Sequence, residues 1–285
     1  GVNQFFFHRF AHQANTHVMP GMTMNRWGSH FDRTQPWWDE GGSAWFGYMA
    51  RGQHMLRQGQ AVADVAMAIG SNSPVICPQK PEAGKHLPAG VEFDCIDTPS
   101  LLNRSRFEDG ALLLDSGARY SMIWWPHDEA PSATEAARLE EAKRAGVAVA
   151  LSHRGDVAED VFNEAGLAPR VSSSGELPSF THRKVATTDI FFVFNDSEER
   201  KEYDLCFNVE GKPGEEWHPV TGGIRALAGT VDADRCTNIQ LGLAPYESRF
   251  LVFDQSASFA PRNDASAGEV KTLAELDTGW SISFD

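Results

Sequence analysis

No apolar run in this sequence approaches the roughly 20 residues that a membrane-spanning helix requires. The longest, over 61–69 and 111–114, are short, and the first is broken by Asp64. No membrane span is therefore expected. Positive charge is scarce: 25 Lys and Arg stand against 39 Asp and Glu, for a net charge of −14. Nucleic acids and anionic membranes are held by a surplus of positive charge, so this balance argues against both as partners. Cysteine is sparse as well. Cys77, Cys95, Cys206 and Cys236 lie far apart without CxxC or CxxH spacing. A structural zinc site is not expected; the four are read as buried thiols, and the redox compartment stays open. What is present is globular. The 285 residues are 41% hydrophobic and 22% charged. That excludes a disordered, collagen-like or disulfide-scaffold chain and allows about two domains.

The chain starts Gly1-Val2-Asn3 without an initiator Met or a leader, and ends on the alternating Trp280-Ser281-Ile282-Ser283-Phe284. A lone strand there has no partner for its backbone groups. The expectation is a piece of a larger protein, with N- and C-terminal domains of the same chain outside it.

Composition shifts near residue 60. The first sixty residues hold no Lys, five Arg and three carboxylates, a local charge of +2, so the remainder carries −16. They also hold five of the ten His and four of the eight Trp. Polar aromatics and Arg concentrated in one stretch mark a recognition surface or a Trp-rich core. Residues 2–7 read as a short buried strand. Residues 8–43 show no sustained period and read as a long loop, a length that is generally functional. Residues 44–59 have helical spacing, with Gly59 as C-cap. Strand, long loop and helix in that order form the βα unit of a barrel or doubly wound fold, where chemistry sits at the carboxyl ends of strands.

From 61 to about 166 the pattern is α/β. A buried strand over 64–69 is followed by strands at 111–114 and 119–125, which flank a hairpin or tight βα connection at 115–118. A helix over 132–145 opens on a capping box, Ser132 with Glu135, and stops at Gly146. A strand at 147–151 follows, then a second capping box, Asp156 with Glu159, opening a short helix to Gly166. This reads as a small flavodoxin-like layer. No GxGxxG is present, and no nucleotide site is assigned. After Gly175 the period becomes two. Strands at 189–194, 203–209, 224–227, 237–243 and 248–253, separated by turn clusters, indicate a β-sandwich. Residues 255–269 read as a linker.

Chemistry concentrates in two clusters. His8 and His12 stand four apart, as a metal pair on a helix would, but no HExxH glutamate is present. Imidazoles at the end of a buried strand serve equally as donors to a polar ligand, or as ordinary satisfied histidines. The stretch from Trp27 to Trp38 puts aromatic platforms beside short and planar hydrogen-bonding groups, which is what a sugar requires. Asp32 beside Arg33 would bind a diol or form an ion pair holding the loop. Glycoside hydrolysis needs two facing carboxyls, one protonated and one ionised. Of Asp32, Asp39 and Glu40, no pair fits, since Asp39-Glu40 looks like a solvated helix start. GxSxG is absent too.

Three linked motifs carry a resemblance. Phe7-His8-Arg9-Phe10-Ala11-His12-Gln13, Pro20-Gly21-Met22-Thr23-Met24, and Trp27-Gly28-Ser29-His30-Phe31-Asp32-Arg33-Thr34-Gln35-Pro36-Trp37-Trp38 resemble the α-L-rhamnosidases of glycoside hydrolase family 106. The likeness continues through Ala44-Trp45, Tyr48, Arg51, Gly59, Val62-Ala63-Asp64-Val65 and Trp217-His218-Pro219-Val220-Thr221-Gly222. The resemblance implies a multidomain inverting enzyme that removes terminal α-L-rhamnose. It also implies a (β/α)8 catalytic barrel followed by β-rich domains, and a calcium ion at the active site. The family's catalytic glutamates would precede Gly1, so this piece alone is expected to be inactive. His8, Arg9, His12, Gln13, Trp27, His30, Asp32, Arg33, Gln35, Trp37 and Trp38 carry over as sugar-site or site-scaffold residues, with Asp32 as the only calcium ligand to test.

The expected fold is therefore α/β plus all-β. The last βα unit of the barrel occupies 1–60, a flavodoxin-like segment 61–175, a β-sandwich 176–254, a linker 255–269 and the first strand of a further β domain 270–285. The expected partner is a rhamnose-containing carbohydrate, and the family's polysaccharide substrates point to a bacterial periplasmic or extracellular site. A barrel glycosidase for another sugar and a non-catalytic carbohydrate-binding protein are the alternatives.

Overall fold

The structure, a computed structural model, describes residues 42–70, 77–78, 86–151, 165–210, 212, 214–231 and 236–254. The predicted strand at 2–7, the loop at 8–41, the helix after Asp156, the linker and the final strand lie outside the described residues.

Helix α1 (Gly42–Leu56) begins two residues before the sequence pattern predicts and ends three before Gly59. Gly59 adopts a left-handed conformation (φ 51°), and a Cβ there would sit 2.0 Å from the Lys184 carbonyl oxygen. Only glycine lets the chain turn from α1 into strand β1 (Gln60–Ala61) so close to that backbone. Strands β2 (Val65–Gly70), β3 (Phe93–Asp97), β7 (Met122–Trp125) and β8 (Ala148–Leu151) then form a parallel sheet in the order β3-β2-β7-β8. Strand β2 is apolar because it is buried on both faces. Ala66 and Ala68 pack with Leu101, Leu139 and Ala142 of helices α2 (Thr98–Asn103) and α3 (Ala133–Arg144), whereas Val65 and Met67 pack with Leu87, Phe93 and Trp124. The α3 capping box forms as the sequence predicts. Ser132 accepts from the Glu135 amide, and Glu135 reaches back to the Ser132 amide at 2.9 Å. Asp115–Ala118 is a hairpin: β5 (Ala111–Leu114) pairs antiparallel with β6 (Arg119–Tyr120), and β4 (Ser105–Glu108) completes that sheet. The single strand expected over 119–125 is split at Ser121, with β6 and β7 in different sheets.

Two antiparallel sheets follow. One has the order β1-β10-β11-β17-β13-β14 and the other β15-β16-β12-β9. Their strands are β9 (Val171–Ser173), β10 (Ser179–Val185), β11 (Thr188–Phe194), β12 (Lys201–Phe207), β13 (Gly214–Trp217), β14 (Ile224–Ala226), β15 (Gly229–Val231), β16 (Thr237–Leu243) and β17 (Ser248–Asp254). Alternate residues face inward into one core: Phe191 and Val193, Leu251 and Phe253, Leu205 and Phe207, Leu241 and Leu243. Strand β17 is apolar on both faces because Phe250 and Val252 point the other way, against Met55 and Leu56 of α1. Helix α1 is thus the outer cover of the six-stranded sheet.

The parallel layer and the sandwich meet at Asp64 and Arg170. Asp64 is 3% exposed and accepts from Arg170 through both oxygens, at 3.1 Å from Nε and also from Nη2. Its backbone joins three strands: the Asp64 amide donates to Glu92, and its carbonyl accepts from Ser121 and Met122. The Arg170 amide donates to Gly90, and its carbonyl accepts from Asn208. Deeper in the sandwich, Asp189 accepts from His182 Nε2 at 2.8 Å and from the Lys212 ammonium. The His182 ring stacks on Phe191 with centroids 4.0 Å apart.

The cysteines are a correction. They form two disulfides, Cys77–Cys95 and Cys206–Cys236, with Cα separations of 5.9 and 5.7 Å. The partners are 18 and 30 residues apart. Spacing carries no signal at such distances, because the tertiary fold sets the pairing.

Three outcomes follow from this architecture. Arg170→Met leaves a buried carboxylate uncompensated and lowers the free energy of unfolding by about 3 kcal/mol, the low end for a buried pair because Arg170 is partly exposed. Denaturant titration measures this, and Asp64→Leu with Arg170→Met recovers most of the loss. Alkylation of the unfolded, unreduced protein finds no free thiol, and reduction costs about 3 kcal/mol per bridge. The third outcome concerns pH. Burial holds the His182 imidazole below its usual range, with Asp189 opposing only in part. The unfolded chain therefore binds a proton below about pH 6.5 that the folded chain refuses, and stability falls from pH 8 to 5.5. His182→Gln reduces that slope.

Candidate functional site

Every sequence-predicted site residue (His8, Arg9, His12, Gln13, Trp27, His30, Asp32, Arg33, Gln35, Trp37 and Trp38) lies outside the described residues. The structure does describe the scaffold to which that segment is joined, because Trp38 precedes α1 by only four residues. Three contacts seat the helix. Met55 and Leu56 bury themselves against Ile190, Phe250 and Val252. The Tyr48 hydroxyl lies 3.3 Å from Ser248 Oγ. Arg51 donates from Nε to the Pro219 carbonyl at 2.6 Å and from Nη2 to the Val220 carbonyl at 2.5 Å. Just beyond α1, Arg183 donates to the carbonyls of Gln58 and Gly59.

The turn that Arg51 grips is Trp217-His218-Pro219-Val220-Thr221-Gly222, which links β13 to β14. Its backbone closes on itself: the His218 amide donates to Gly223, and the Gly222 amide donates to His218, each at 2.8 Å. His218 Nδ1 accepts from the amides of Val220 and Thr221 at 3.2 and 3.4 Å. That leaves the ring proton on Nε2, which lies 4.0 Å from Glu247. Burial, then the Arg249 charge, keeps His218 below its usual range, so the ring is neutral and the Glu247 contact is no ion pair at pH 7. A 350 Å³ depression beside the turn is lined chiefly by apolar groups, among them Met55, Trp217 and Phe250, with His54 and His218 included.

The carboxyls around this turn are already engaged. Glu216, 5% exposed, accepts from Arg225 at 2.7 Å and from Arg249 at 2.8 Å. Glu247 accepts from the Ala244 amide at 2.8 Å and from Arg249. Among the described residues, Asp97, Glu135, Asp189 and Glu247 have resolved shifts, and all four lie below the usual carboxyl range. Hydrogen bonds to Ser100 lower Asp97. In the other three, burial pushes the carboxyl up and hydrogen bonds more than offset it. A general acid needs the opposite shift, since it must hold its proton until the leaving oxygen takes it. None of these four carboxyls therefore has the shift of a general acid.

A second depression, 760 Å³, lies on the face of the four-stranded sheet that includes Ser172, Asp204, Asn238 and Gln240. Among the described residues, no three His, Cys, Asp or Glu side chains are grouped so as to hold a metal ion. Asp32, the one calcium candidate, lies outside them. Sequence reasoning missed Asp64–Arg170 and the two disulfides. Arg51 and the turn stood within the motifs, but no role for either was legible there.

Comparison with known proteins places this scaffold. A protein of Formosa agariphila (strain DSM 15362) bearing the name "Putative beta-glucuronidase" is 28% identical over 291 residues, which cover 90% of this chain and 24% of that protein. The solved structure of a rhamnosidase from Novosphingobium sp. PP1Y superposes with a TM-score of 0.64 at 23% identity, over 82% of this chain and 26% of that one. The likeness to that structure is one of fold. This chain spans about a quarter of the length of either relative. The alpha-L-rhamnosidase family model matches residues 1–155 and 140–230, motif-bearing segment and gripped turn alike, and the chain belongs to that family, glycoside hydrolase family 106.

Proposed function

We propose that this chain is a segment of a glycoside hydrolase that removes terminal α-L-rhamnose from oligosaccharides, polysaccharides or glycosides. The observation that carries the reading is the family match across residues 1–155, which includes all three linked motifs. In this reading His8, Arg9, His12, Gln13, Trp27, His30, Asp32, Arg33, Gln35, Trp37 and Trp38 hold the sugar. Flat aromatic faces take its C–H surface and its methyl group, while imidazole, guanidinium and amide groups take its hydroxyls. Residues 1–60 are assigned to the end of a (β/α)8 barrel and 61–175 to a flavodoxin-like layer, except that β1 and β9 join the sheets of the sandwich, which continues through 176–254. The strand order β3-β2-β7-β8 supports the second assignment.

Hydrolysis with inversion requires one carboxyl to protonate the leaving oxygen and another to activate water, about 6.5–9.5 Å away. The described carboxyls with resolved shifts are held ionised, and Glu216 and Glu247 already serve arginines. The resemblance to the family puts the acid and base on glutamates that precede Gly1 in the longer protein, so the 285 residues by themselves are expected to bind without turnover. Calcium remains a proposal from the family likeness. The described residues offer no ligand set for it, so no step is assigned to it. Two disulfides support an oxidising compartment, in keeping with export.

A second reading, action on another sugar, is favoured by the name that the Formosa agariphila relative bears. A glucuronide presents a carboxylate where rhamnose presents a methyl, so one site does not serve both well. The full-length protein, given aryl α-L-rhamnoside and aryl β-D-glucuronide in parallel, is expected to release product from the rhamnoside. Turnover of the glucuronide alone would establish the second reading.

A further inference from the structure

The two sheets of the sandwich carry different things on their outer faces. Helix α1 covers the six-stranded sheet. The four-stranded sheet β15-β16-β12-β9 carries the 760 Å³ depression. Register fixes which groups share it. Leu205 and Ile239 point into the core, so the residues on either side of them point outward. Cys206 stands opposite both Ser172 and Asn238, and Asn238 opposite Thr230, which makes one row across all four strands. Two residues along, Asp204 stands opposite Gln240. There the Gln240 amide donates to the Asp204 carboxylate at 3.0 Å.

This face is not made like an ordinary solvated one. The chain beyond residue 60 carries a net −16, and exposed strands commonly present long charged side chains to water. Among the described residues, the depression is lined by no Lys or Arg and by a single carboxylate, Asp204. Hydroxyls and planar amides supply its other polar side chains. Long charged groups stand beyond it. Gly242, opposite Glu202, leaves room for the Arg200–Glu202 pair: a Cβ there would stand 2.5 Å from Glu202 Oε2 and 2.7 Å from Arg200 Nη2. At the other end the Cys206–Cys236 bridge ties β12 to the residue that precedes β16. Such bracing lowers the cost of ordering the face around a ligand.

The same groups select the ligand. An anion would find no cation and would meet Asp204, so phosphates, nucleic acids and uronates are disfavoured. A protein partner needs large apolar anchors, and Leu205 and Ile239, the large apolar residues of the lining, are 1% and 3% exposed. A neutral saccharide fits. The Asp204–Gln240 bond uses one carboxylate oxygen and one amide hydrogen, and both side chains are exposed. A second carboxylate oxygen, the amide carbonyl and its other hydrogen remain for adjacent hydroxyls. Cys206 and the Thr230 methyl offer apolar patches to sugar C–H groups. The volume falls among those of small-molecule sites. Four strands span about 14 Å, room for a short oligosaccharide.

We propose that the outer face of the four-stranded sheet is a non-catalytic binding site for a neutral oligosaccharide stretch, with Asp204 and Gln240 as its central hydrogen-bonding pair. It rests on the glycoside hydrolase reading for the source of the saccharide, and not on which terminal sugar is removed.

The test runs the full-length protein through native gels that contain a neutral rhamnan, a neutral galactan or polygalacturonate. A neutral polysaccharide is expected to retard the wild type, and polygalacturonate is not. Asp204→Ala with Gln240→Ala raises the Kd read from that retardation about tenfold, as loss of two hydrogen-bonding groups does. The pair is exposed, so the thermal midpoint of this variant stays within about 3 °C of the wild type. Thr230→Tyr, which fills the depression from an exposed edge strand, weakens retardation as well. Equal retardation of the wild type and both variants would overturn the proposal. So would a wild type that runs freely through both neutral gels, or one held by polygalacturonate alone. Hydrolysis of an aryl α-L-rhamnoside by the wild type reports on the terminal-sugar reading separately: its absence sinks that reading and leaves the gel comparison to decide this one.

Discussion

The bidentate pair between Asp64 and Arg170 is the constraint on which the arrangement of layers depends. Asp64 stands where the chain leaves the sandwich edge and enters the parallel sheet, and Arg170 stands where it returns to β9. Each residue also spends its backbone groups on the neighbouring strands, so the pair sets register as well as charge balance. Its cost is a carboxylate almost wholly removed from water, tolerable only while the guanidinium covers both oxygens. With that junction fixed, β10 lies where β1 can join it, and α1 lies over the outer face of β17.

In the described part of the chain, carboxylates serve largely as structural ties. The region after residue 42 is rich in carboxylates, yet those with resolved shifts are driven toward the ionised form by hydrogen bonds and neighbouring cations. Those groups hold structure: Glu135 caps the start of α3, Asp189 ties β11 to His182 and Lys212, and Glu247 accepts from Arg249 and the Ala244 amide. The sugar-like composition lies before residue 42, and the family match spans both parts. Helix α1 is held on the six-stranded sheet by residues buried along its length, from Gly42 through Met49 to Leu56, and by the Arg51 hydrogen bonds to Pro219 and Val220.

Local signals were legible and long-range ones were not. The Ser132–Glu135 capping box, the glycine after α3 and the strands at 237–243 and 248–253 follow from near-neighbour chemistry, and the structure agrees closely with them. Strand β10, Ser179–Val185, escaped notice because His182, Arg183 and Lys184 break its apolar pattern, although His182 is buried by pairing with Asp189. Strand β13 escaped because Glu216 is polar in sequence and buried in the fold. The cysteines misled for a related reason: partners 18 and 30 residues apart are set by the tertiary fold rather than by spacing. Of the candidate site, the residue types that suit a sugar could be read from the sequence. The contact between Arg51 and the Pro219 carbonyl could not, since it joins residues 168 apart.

The most direct measurement is an experimental structure of the full-length protein with L-rhamnose bound. The expected result places the sugar against residues between His8 and Trp38, flanked by two carboxyls about 6.5–9.5 Å apart that come from neither the parallel layer nor the sandwich. Rhamnose seated instead against Glu216, Glu247 or Asp189 would contradict the proposed placement of the sugar site.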